Sequence, residues 1–325
     1  MGRAWLFYAL LVAGGLYTSF STVAVILSHI LWICLRERLR FTPVSLRAAG
    51  AMAISALLFL PWARMLWTHF ESFQASMAWA SEIVIPTSDL LRILALNLSR
   101  PLVDLWPDLL GWPAALGVTL TLLLVSWALF GLRSASPDAR RLVILLVVFP
   151  IALLLGPDLV FGGIRSISTR YLTPSLLGIL VACAFLLGRG ETLWHKGGTG
   201  LVLGASLLSC AWNHGQVAPW TKGVSARLPE VAEIINREEA PLVVGNREQH
   251  HPGNLLSLGN LLRPESQMVF LDIGEEDLFE LPEGEAAVFL FSPTPPFREK
   301  LAERASVEIE PVVEGLYLQL WRVLP

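Results

Sequence analysis

Residues 4–35 read AWLFYALLVAGGLYTSFSTVAVILSHILWICL, and this uncharged run decides the fold class. A helix rises ~1.5 Å per residue and the hydrocarbon core of a bilayer is ~30 Å thick, so the run is too long for one span. Gly14 and Gly15 weaken a helix near its middle, directly before Leu16-Tyr17-Thr18-Ser19-Phe20. The run also extends far beyond the roughly 7–15 apolar residues of a signal peptide. It therefore predicts two short membrane helices that form a hairpin.

Five further apolar segments bring the predicted total to seven spans. They lie at about 48–67, 109–132, 141–157, 171–188 and 197–213. The composition agrees, because only 16% of residues are charged, whereas soluble domains average about 25%. The predicted fold class is mainly α: a polytopic transmembrane helix bundle over 1–213, followed by a small extramembrane α/β domain over 214–325.

The charged residues divide the chain at the same place. Residues 1–212 hold 15 Lys and Arg against 9 Asp and Glu, whereas 213–325 hold 9 against 18. The first part is thus net positive and the second net negative. An acidic tail disfavours a nucleic-acid partner. The three cysteines all lie in apolar runs, so they predict neither a disulfide framework nor a metal site.

The arginines predict an orientation. They cluster in loops at 36–47, 133–141 and 189–196, which share one side of a seven-span bundle. Lys and Arg accumulate in short cytoplasmic loops. We therefore predict an integral protein of the plasma or inner membrane, with membrane lipids as partners, a cytoplasmic N-terminus and an extracytoplasmic C-terminal domain.

The long segment 68–108 then lies on the outer side. It is rich in aromatic residues, and its 89–100 portion has apolar residues at helical spacing. This pattern predicts amphipathic helices that lie in the membrane interface with aromatic anchors at headgroup depth.

The tail alternates strand and helix signals, which favours a small α/β domain with a mainly parallel sheet. A hairpin is expected around Glu314-Gly315. Further strands and helices are predicted at 228–239 (helix), 241–244 (strand), 252–262 (helix), 268–271 (strand), 286–291 (strand) and 295–304 (helix). In a strand, His250 and His251 would point to opposite faces, and no third ligand follows at a suitable spacing, so we predict no metal site.

Ionisable residues at the outer membrane face are functional candidates, because charge is costly there. Arg165 and Arg170 flank three hydroxyl side chains just before a span. Guanidinium groups suit phosphate oxygens, although both arginines also fit a role as anchors to anionic headgroups. Glu82 and Asp89 are candidate general bases or polar contacts in the outer loop.

Two further ionisable residues have simpler interpretations. Asp158 follows Gly156-Pro157, so it fits a turn cap or a pair with Arg165. His29 lies within a span and fits a buried, hydrogen-bonded ring.

Four short motifs resemble those of the bacterial C-type (GT-C) membrane glycosyltransferases. The stretch Leu16-Tyr17-Thr18-Ser19-Phe20 resembles their Leu-Tyr-Thr-His-Tyr-Phe turn, Leu58-Phe59-Leu60-Pro61-Trp62 resembles a Leu-Pro-Trp span ending, and Arg170-Tyr171-Leu172-Thr173-Pro174 resembles an Arg-Tyr-Leu-x-Pro span entry. The stretch Pro252-Gly253-Asn254-Leu255-Leu256-Ser257-Leu258 is similar to the C-terminal domain of cyanobacterial members. These enzymes are related to dolichyl-phosphate-mannose–protein mannosyltransferases and aminoarabinose transferases.

The resemblance implies a transferase that moves a sugar from a polyprenyl-phosphate carrier to an acceptor on the outer membrane face. The lipid-linked sugar is a substrate, and no cofactor is implied. Arg165, Arg170, Tyr171 and Tyr17 are then the expected contacts of the lipid phosphate.

The chain also departs from the family pattern. Such enzymes carry acidic catalytic residues in a long first outer loop, whereas here that loop is only the Tyr17–Phe20 turn, with Ser19 where the family often has His. The expectation is therefore the C-terminal part of such a transferase, arising from a truncated reading frame, a split enzyme with a separate N-terminal half, or a degenerate relative. Two alternatives remain: a non-catalytic membrane scaffold whose outer domain binds a partner, and a transporter, which would show inverted repeats that are not seen here.

Overall fold

The computed structural model describes residues 2–104, 112–190, 192–215, 225–246, 252–271, 275, 279–282, 287–315 and 318–324. The chain divides into two compact units, Met1–Asn213 and His214–Pro325. The predicted boundary at 213/214 coincides with this division, and the chain is mainly helical with one small sheet.

Helices occupy every segment for which a span was predicted. They are α1 (Arg3–Thr18), α2 (Ser21–Arg36), α3 (Pro43–Thr68), α7 (Trp112–Gly131), α8 (Pro137–Phe161), α9 (Thr173–Gly188) and α10 (Leu193–His214). The break in the opening run falls at Ser19 and Phe20, as the sequence predicts. The segment after α3 folds into three shorter helices, α4 (Phe70–Met77), α5 (Trp79–Glu82) and α6 (Thr87–Ser99).

Three of these helices are long and apolar enough to cross a membrane: α3, α7 and α8. Two shorter apolar helices, α2 and α9, accompany them. Seven spans are not confirmed, and that count remains a prediction. Charged residues bound two of the short apolar helices, because α2 ends at Arg36 and Arg189 directly follows α9.

Small side chains bring the helices of the first unit together. Helices α1 and α3 pack together, the small residues Ala9, Ala13, Ala48 and Ala51 on them are buried, and Ser55 donates to the Ala9 carbonyl at 2.9 Å. Large apolar side chains instead face outward along the same helices. This inverted arrangement is typical of helices that pack in lipid.

The His29 ring is hydrogen-bonded as predicted, with its Nδ1 2.7 Å from the Tyr8 hydroxyl, but it is half-buried rather than buried. It therefore joins α1 to α2.

The predicted arginine loops meet at one end of the helical unit, here called the arginine end (residues 36–47, 133–141 and 189). Arg36 Nε lies 3.4 Å from Asp138 Oδ2, and Trp32 Nε1 donates to the Asp138 carbonyl. Arg189 donates to the Ser134 hydroxyl. The opposite end is called the cavity end and comprises Phe20–Ser21, α4, α5 and the turn 162–171.

The predicted amphipathic helix over 89–100 corresponds to α6. Leu90 and Leu94 are buried on its apolar side, where α6 packs against α7 and the 3-10 turn Arg165–Ile167. The apolar stripe thus contributes to the protein core around the cavity end, while Leu91 on the other side is exposed.

The second unit is an α/β domain. Its strands are β1 (Leu242–Asn246), β2 (Gln267–Leu271), β3 (Val288–Phe291), β4 (Glu308–Val313) and β5 (Leu320–Leu324), and its helices are α11 (Leu228–Ile235), α12 (Pro252–Leu261) and α13 (Pro295–Ala305). Within the described residues the strand order is β2-β1-β3-β5-β4.

Alternating side chains of the central strands build a core on each face of the sheet. Val243 and Phe289 pack with α11 and α12 on one face, while Val244 and Leu290 pack with α13 on the other. Strands buried on both faces read as continuous apolar runs, which is why β1 and β3 were visible in the sequence.

The sheet is mixed rather than mainly parallel. The pairs β1/β2 and β1/β3 are parallel, whereas β3/β5 and β4/β5 are antiparallel. The cause is the C-terminal hairpin, which the sequence did indicate around Glu314-Gly315 and which adds both of its strands to one edge.

Candidate functional site

A cavity of about 760 Å³ opens at the cavity end. Its walls are mostly apolar, with Phe20, Phe70 and Phe73 among them. Polar groups reach it from several segments that are distant in sequence: Glu71, Gln74, Ser81, Glu82, Arg165 and Tyr171. An apolar recess with a few convergent polar groups is the usual form of a small-molecule site.

Arg165 is held in place by a buried carboxylate. The side chain of Asp158 is fully buried near the end of α8, and its Oδ1 accepts from Arg165 Nη1 at 3.0 Å. Asp158 Oδ2 accepts from the backbone N–H of Ser166 at 2.7 Å. Both simple interpretations of Asp158 are therefore confirmed, because it caps the turn and also pairs with Arg165. Arg165 Nη1 also donates to the Gly162 carbonyl at 2.8 Å, and among the described residues the other guanidinium nitrogens of Arg165 have no acceptor, so they are available to a ligand.

Glycine makes this arrangement possible. Gly162 and Gly163 adopt φ values of 79° and 116°, which side chains with a Cβ rarely allow. A Cβ on Gly163 would collide with Arg165 Nη1 and lie 2.7 Å from the Ala80 carbonyl oxygen. The next residue, Ile164, donates its N–H to that same carbonyl at 2.8 Å. The turn thus lies directly against α5.

Asn97 fixes the other side of the turn. It is buried on α6, donates to the Ile167 carbonyl and accepts from the Thr169 hydroxyl at 3.1 Å. Its oxygen also accepts from Arg100 Nη1 at 2.6 Å. One amide therefore joins α6 to both halves of the turn that carries Arg165 and Arg170.

Arg100 extends this network to a second carboxylate. Its Nε lies 3.6 Å from Asp104 Oδ1. Burial raises the pKa of the Asp104 carboxyl above its ordinary value, while the Arg100 charge acts in the opposite direction. Burial likewise lowers the pKa of Arg100. The segment is anchored on α10, since the Asp104 N–H donates to Ser209 at 3.0 Å.

The two predicted arginines differ in their surroundings. Arg170 is exposed, and the structure does not bring it into the cavity lining. Its Nη2 donates to the Tyr171 hydroxyl at 2.8 Å, and its Cζ lies 4.8 Å from the Tyr171 ring centroid. Tyr171 does line the cavity, and its hydroxyl points toward Met77 Sδ at 3.7 Å. Arg170 therefore orients Tyr171, while Arg165 reaches the cavity itself.

The remaining predicted residues are dispersed. Glu82 ends α5 and lines the cavity. Asp89 lies exposed in the first turn of α6, outside the lining. Tyr17 donates to the Leu58 carbonyl at 3.0 Å and packs edge-to-face on Phe59, so its hydroxyl joins α1 to α3.

No protein-family model, curated protein or solved structure matches this chain.

Metal ligands do not assemble in the described part of the chain, where no group of three or more His, Cys, Asp or Glu is placed to hold an ion. His250 and His251 lie outside the described residues. The same is true of Asp108 and Trp106.

Sequence reasoning missed two contributors to this site. Asn97 has no signal of its own, because its partners lie about seventy positions away. In the sequence, Glu71 is one of several acidic residues on the predicted outer side. Only the position of α4 beside the cavity shows that its side chain belongs to the lining. The sequence signal that bears on Asn97 is the helical spacing of apolar residues in α6, which indicates that one side of that helix is buried.

Proposed function

We propose that this chain is an integral membrane protein of GT-C glycosyltransferase type that binds a polyprenyl-phosphate-linked sugar in the cavity at its outer end. In this proposal the seven helices predicted as spans, α1, α2, α3, α7, α8, α9 and α10, all cross the membrane. The arginine end faces the cytoplasm, and the α/β domain lies outside.

The observation that carries the proposal is the composition of the cavity. A polyprenyl phosphate has a long apolar chain and an anionic head, and the cavity combines phenylalanine walls with the guanidinium of Arg165. Arginine forks form charge-assisted bonds with phosphate oxygens. The buried Asp158 holds that fork in one orientation, which lowers the entropy lost on binding.

Exposed apolar side chains support the membrane part of the proposal. On α7 the exposed residues include Leu120, Leu123 and Phe130, and on α1 they include Phe7 and Leu11. Contiguous apolar surface on this scale marks contact with lipid or protein. The clustering of arginines at one end supports the orientation, by the same rule that applies to short loops.

Two carboxylates line the same cavity as Arg165. Glu71 and Glu82 lie on successive short helices. In sugar transfer a carboxylate takes a proton from the acceptor, while cationic groups stabilise the departing phosphate. We assign the second role to Arg165, and within this chain Glu71 and Glu82 are the candidates for the first.

Binding of a polyprenyl phosphate to the purified protein tests the proposal. Native mass spectrometry should show binding of the phosphate and weaker binding of the matching polyprenol. Arg165→Gln should lower the affinity about 10- to 100-fold, since it removes a hydrogen bond to a charged group. Arg64→Gln, which removes an arginine outside the cavity lining, is the control. Equal affinity of the Arg165 variant and the wild type would contradict the proposal.

A membrane assay with a labelled polyprenyl-phosphate sugar then tests the transferase activity separately. Transfer that is lost in Glu82→Gln or Glu71→Gln, with binding retained, would support the catalytic assignment. Binding without transfer in the wild type would limit the function to recognition of the lipid phosphate.

The second candidate is a membrane-anchored scaffold. The observation that favours it is that the α/β unit has its own core on both faces of its sheet. This candidate predicts that a fragment spanning 220–325 folds alone and captures a partner from cell-envelope extract. Capture that survives in Arg165→Gln, without any binding of polyprenyl phosphate, would favour it over the transferase.

A further inference from the structure

The turn between α2 and α3 has a strained and well-fixed backbone. Arg38 and Leu39 both adopt left-handed conformations, with φ values of 52° and 59°, although neither is glycine. Leu39 N–H donates to the Cys34 carbonyl at 2.9 Å, and Thr42 caps α3 in a reciprocal arrangement with Ser45. Strain of this kind persists where surrounding bonds enforce it, and it often marks a functional surface.

This turn presents apolar side chains outward. Leu39 is 81% exposed and Phe41 is 92% exposed. They alternate along the chain with Arg38 and Arg40, which are also exposed. Within the described residues, neither arginine has an acidic partner. In the part of the chain that the structure describes, the turn thus displays two large apolar groups that alternate with two cations without an acidic partner.

The neighbouring segments add positive charge. Arg47 lies near the start of α3, and Arg141 near the start of α8. Asp138 contacts both Arg36 and Arg141, and Arg36 also pairs with Glu37 of the turn at 3.4 Å, so two carboxylates face the four cations Arg36, Arg38, Arg40 and Arg141. The surface therefore keeps a positive excess suited to an anionic partner.

The length of α2 places the turn at a particular depth. Its 16 residues span ~24 Å at 1.5 Å per residue, which is less than the ~30 Å hydrocarbon core. A helix this short does not carry its ends into bulk water. If α2 crosses the membrane, the side chains of Leu39 and Phe41 lie at the level of the acyl boundary and the arginines reach the phosphates.

We propose that the turn Glu37–Thr42 is a binding surface for anionic phospholipid headgroups, in which Leu39 and Phe41 insert into the acyl boundary and Arg38 and Arg40 contact the lipid phosphates. This inference requires that the helices cross a membrane, but it does not require the sugar donor, because the turn lies at the opposite end from the cavity. An acidic protein partner would not need the two exposed apolar side chains.

The test uses the full chain in mild detergent, titrated with phosphatidylglycerol or with phosphatidylcholine of the same acyl composition. Native mass spectrometry measures the lipid retained. The wild type should prefer phosphatidylglycerol, and the double variant Arg38→Gln/Arg40→Gln should lose about 25-fold in affinity for it, about fivefold per arginine. Arg38→Lys/Arg40→Lys should retain most of the affinity.

Two controls separate this surface from general effects. Arg64→Gln should leave phosphatidylglycerol binding unchanged, and Leu39→Ser/Phe41→Ser should weaken both lipids alike. Thermal unfolding checks that each variant is folded, and if the double glutamine variant is not, the single variants Arg38→Gln and Arg40→Gln replace it, each with an expected loss of about fivefold. Equal binding of the two lipids by the wild type, or full retention in a folded glutamine variant, would overturn the proposal. Complete displacement of lipid by soluble poly-glutamate would also overturn it, in favour of an acidic macromolecular partner.

Discussion

At the cavity end the carboxylate of Asp158 is fully buried and has two fixed donors, whereas at the arginine end Asp138 is 45% exposed in its side chain and contacts Arg36 and Arg141 at 3.4 and 3.9 Å. The two ends thus use the same residue types differently. A buried pair fixes geometry and is costly to break, while exposed pairs contribute little stability and leave charge available. The first arrangement suits recognition of one oriented phosphate, and the second suits a surface of many headgroups.

The aromatic residues follow the same contrast. At the arginine end, guanidinium groups lie over rings of their own helices, as for Arg133 over Phe130 at 4.0 Å and Arg189 over Phe185 at 4.9 Å. At the cavity end, Phe20 and Phe73 pack edge-to-face at 5.6 Å and form a wall. A guanidinium also lies over a ring at the cavity end, Arg170 over Tyr171 at 4.8 Å, so the contrast lies in the phenylalanine wall that lines the cavity.

The largest effect is expected from labelling the two ends from opposite sides of the membrane. After Cys34, Cys183 and Cys210 are replaced by alanine, Glu82→Cys and Arg40→Cys each provide one exposed thiol. In intact cells, a membrane-impermeant maleimide should label Glu82→Cys and should label Arg40→Cys only after permeabilisation. Labelling of both variants in intact cells would refute the proposed orientation.

Removal of the buried carboxylate should give the next largest effect. Asp158→Ala leaves Arg165 and the Ser166 N–H without their acceptor, and we expect a loss of ~3 kcal/mol in unfolding free energy. Asp138→Ala at the arginine end, where the pairs are exposed, should lose less than ~1 kcal/mol. Denaturant unfolding in detergent measures both. Equal losses of unfolding free energy would mean that the buried Asp158 carboxylate stabilises the fold no more than the exposed Asp138 carboxylate.

Much of the fold was predictable, because it depends on local patterns. Each long apolar run of the first unit forms a helix, and the short apolar runs at β1 and β3 form central strands. The Asp158–Arg165 pair was also accessible, since the residues are seven positions apart across one turn. The cavity was not, because Phe20, Phe70 and Arg165 come from segments that only the tertiary fold brings together. Spacing along the chain carries no information about such contacts.

The positions of the two predicted tyrosines illustrate the same limit. Tyr171 follows Arg170 directly, and its placement beside the cavity agrees with the motif that suggested it. Tyr17 lies in a motif as well, yet its hydroxyl is engaged by Leu58, forty-one positions away. A short motif identifies a residue type but not the partner that uses it.

A smaller effect should follow from a methyl group at Gly163. Because φ is 116° and the added Cβ would contact Arg165 and Ala80, Gly163→Ala should cost about 2 kcal/mol and weaken polyprenyl phosphate binding. Gly50→Ala in α3, where nothing lies within 4 Å, should be neutral or slightly stabilising because alanine favours the helix. Thermal unfolding compares the two. An unchanged unfolding temperature in Gly163→Ala would show that the turn 162–171 can accommodate a Cβ at this position.

The smallest effect concerns pH. Because burial raises the pKa of Asp104 in the folded state, the folded protein binds a proton more tightly than the unfolded chain. The contribution of the Asp104 carboxyl to the free energy of unfolding is therefore least favourable at neutral pH, and it improves as pH falls through the raised pKa. Between about pH 6 and pH 4, where carboxyl groups titrate, Asp104→Asn should remove part of the pH dependence of unfolding. An unchanged profile would show that Asp104 is not desolvated in this way.

The most direct test of the central claim is a polyprenyl phosphate that carries a photoreactive group beside its phosphate, crosslinked to the wild-type protein and mapped by mass spectrometry. We predict crosslinks in α4, in α5 and in the turn 162–171, which disappear in Arg165→Gln. Crosslinks confined to the arginine end, or crosslinks that an equimolar polyprenol reproduces, would contradict it.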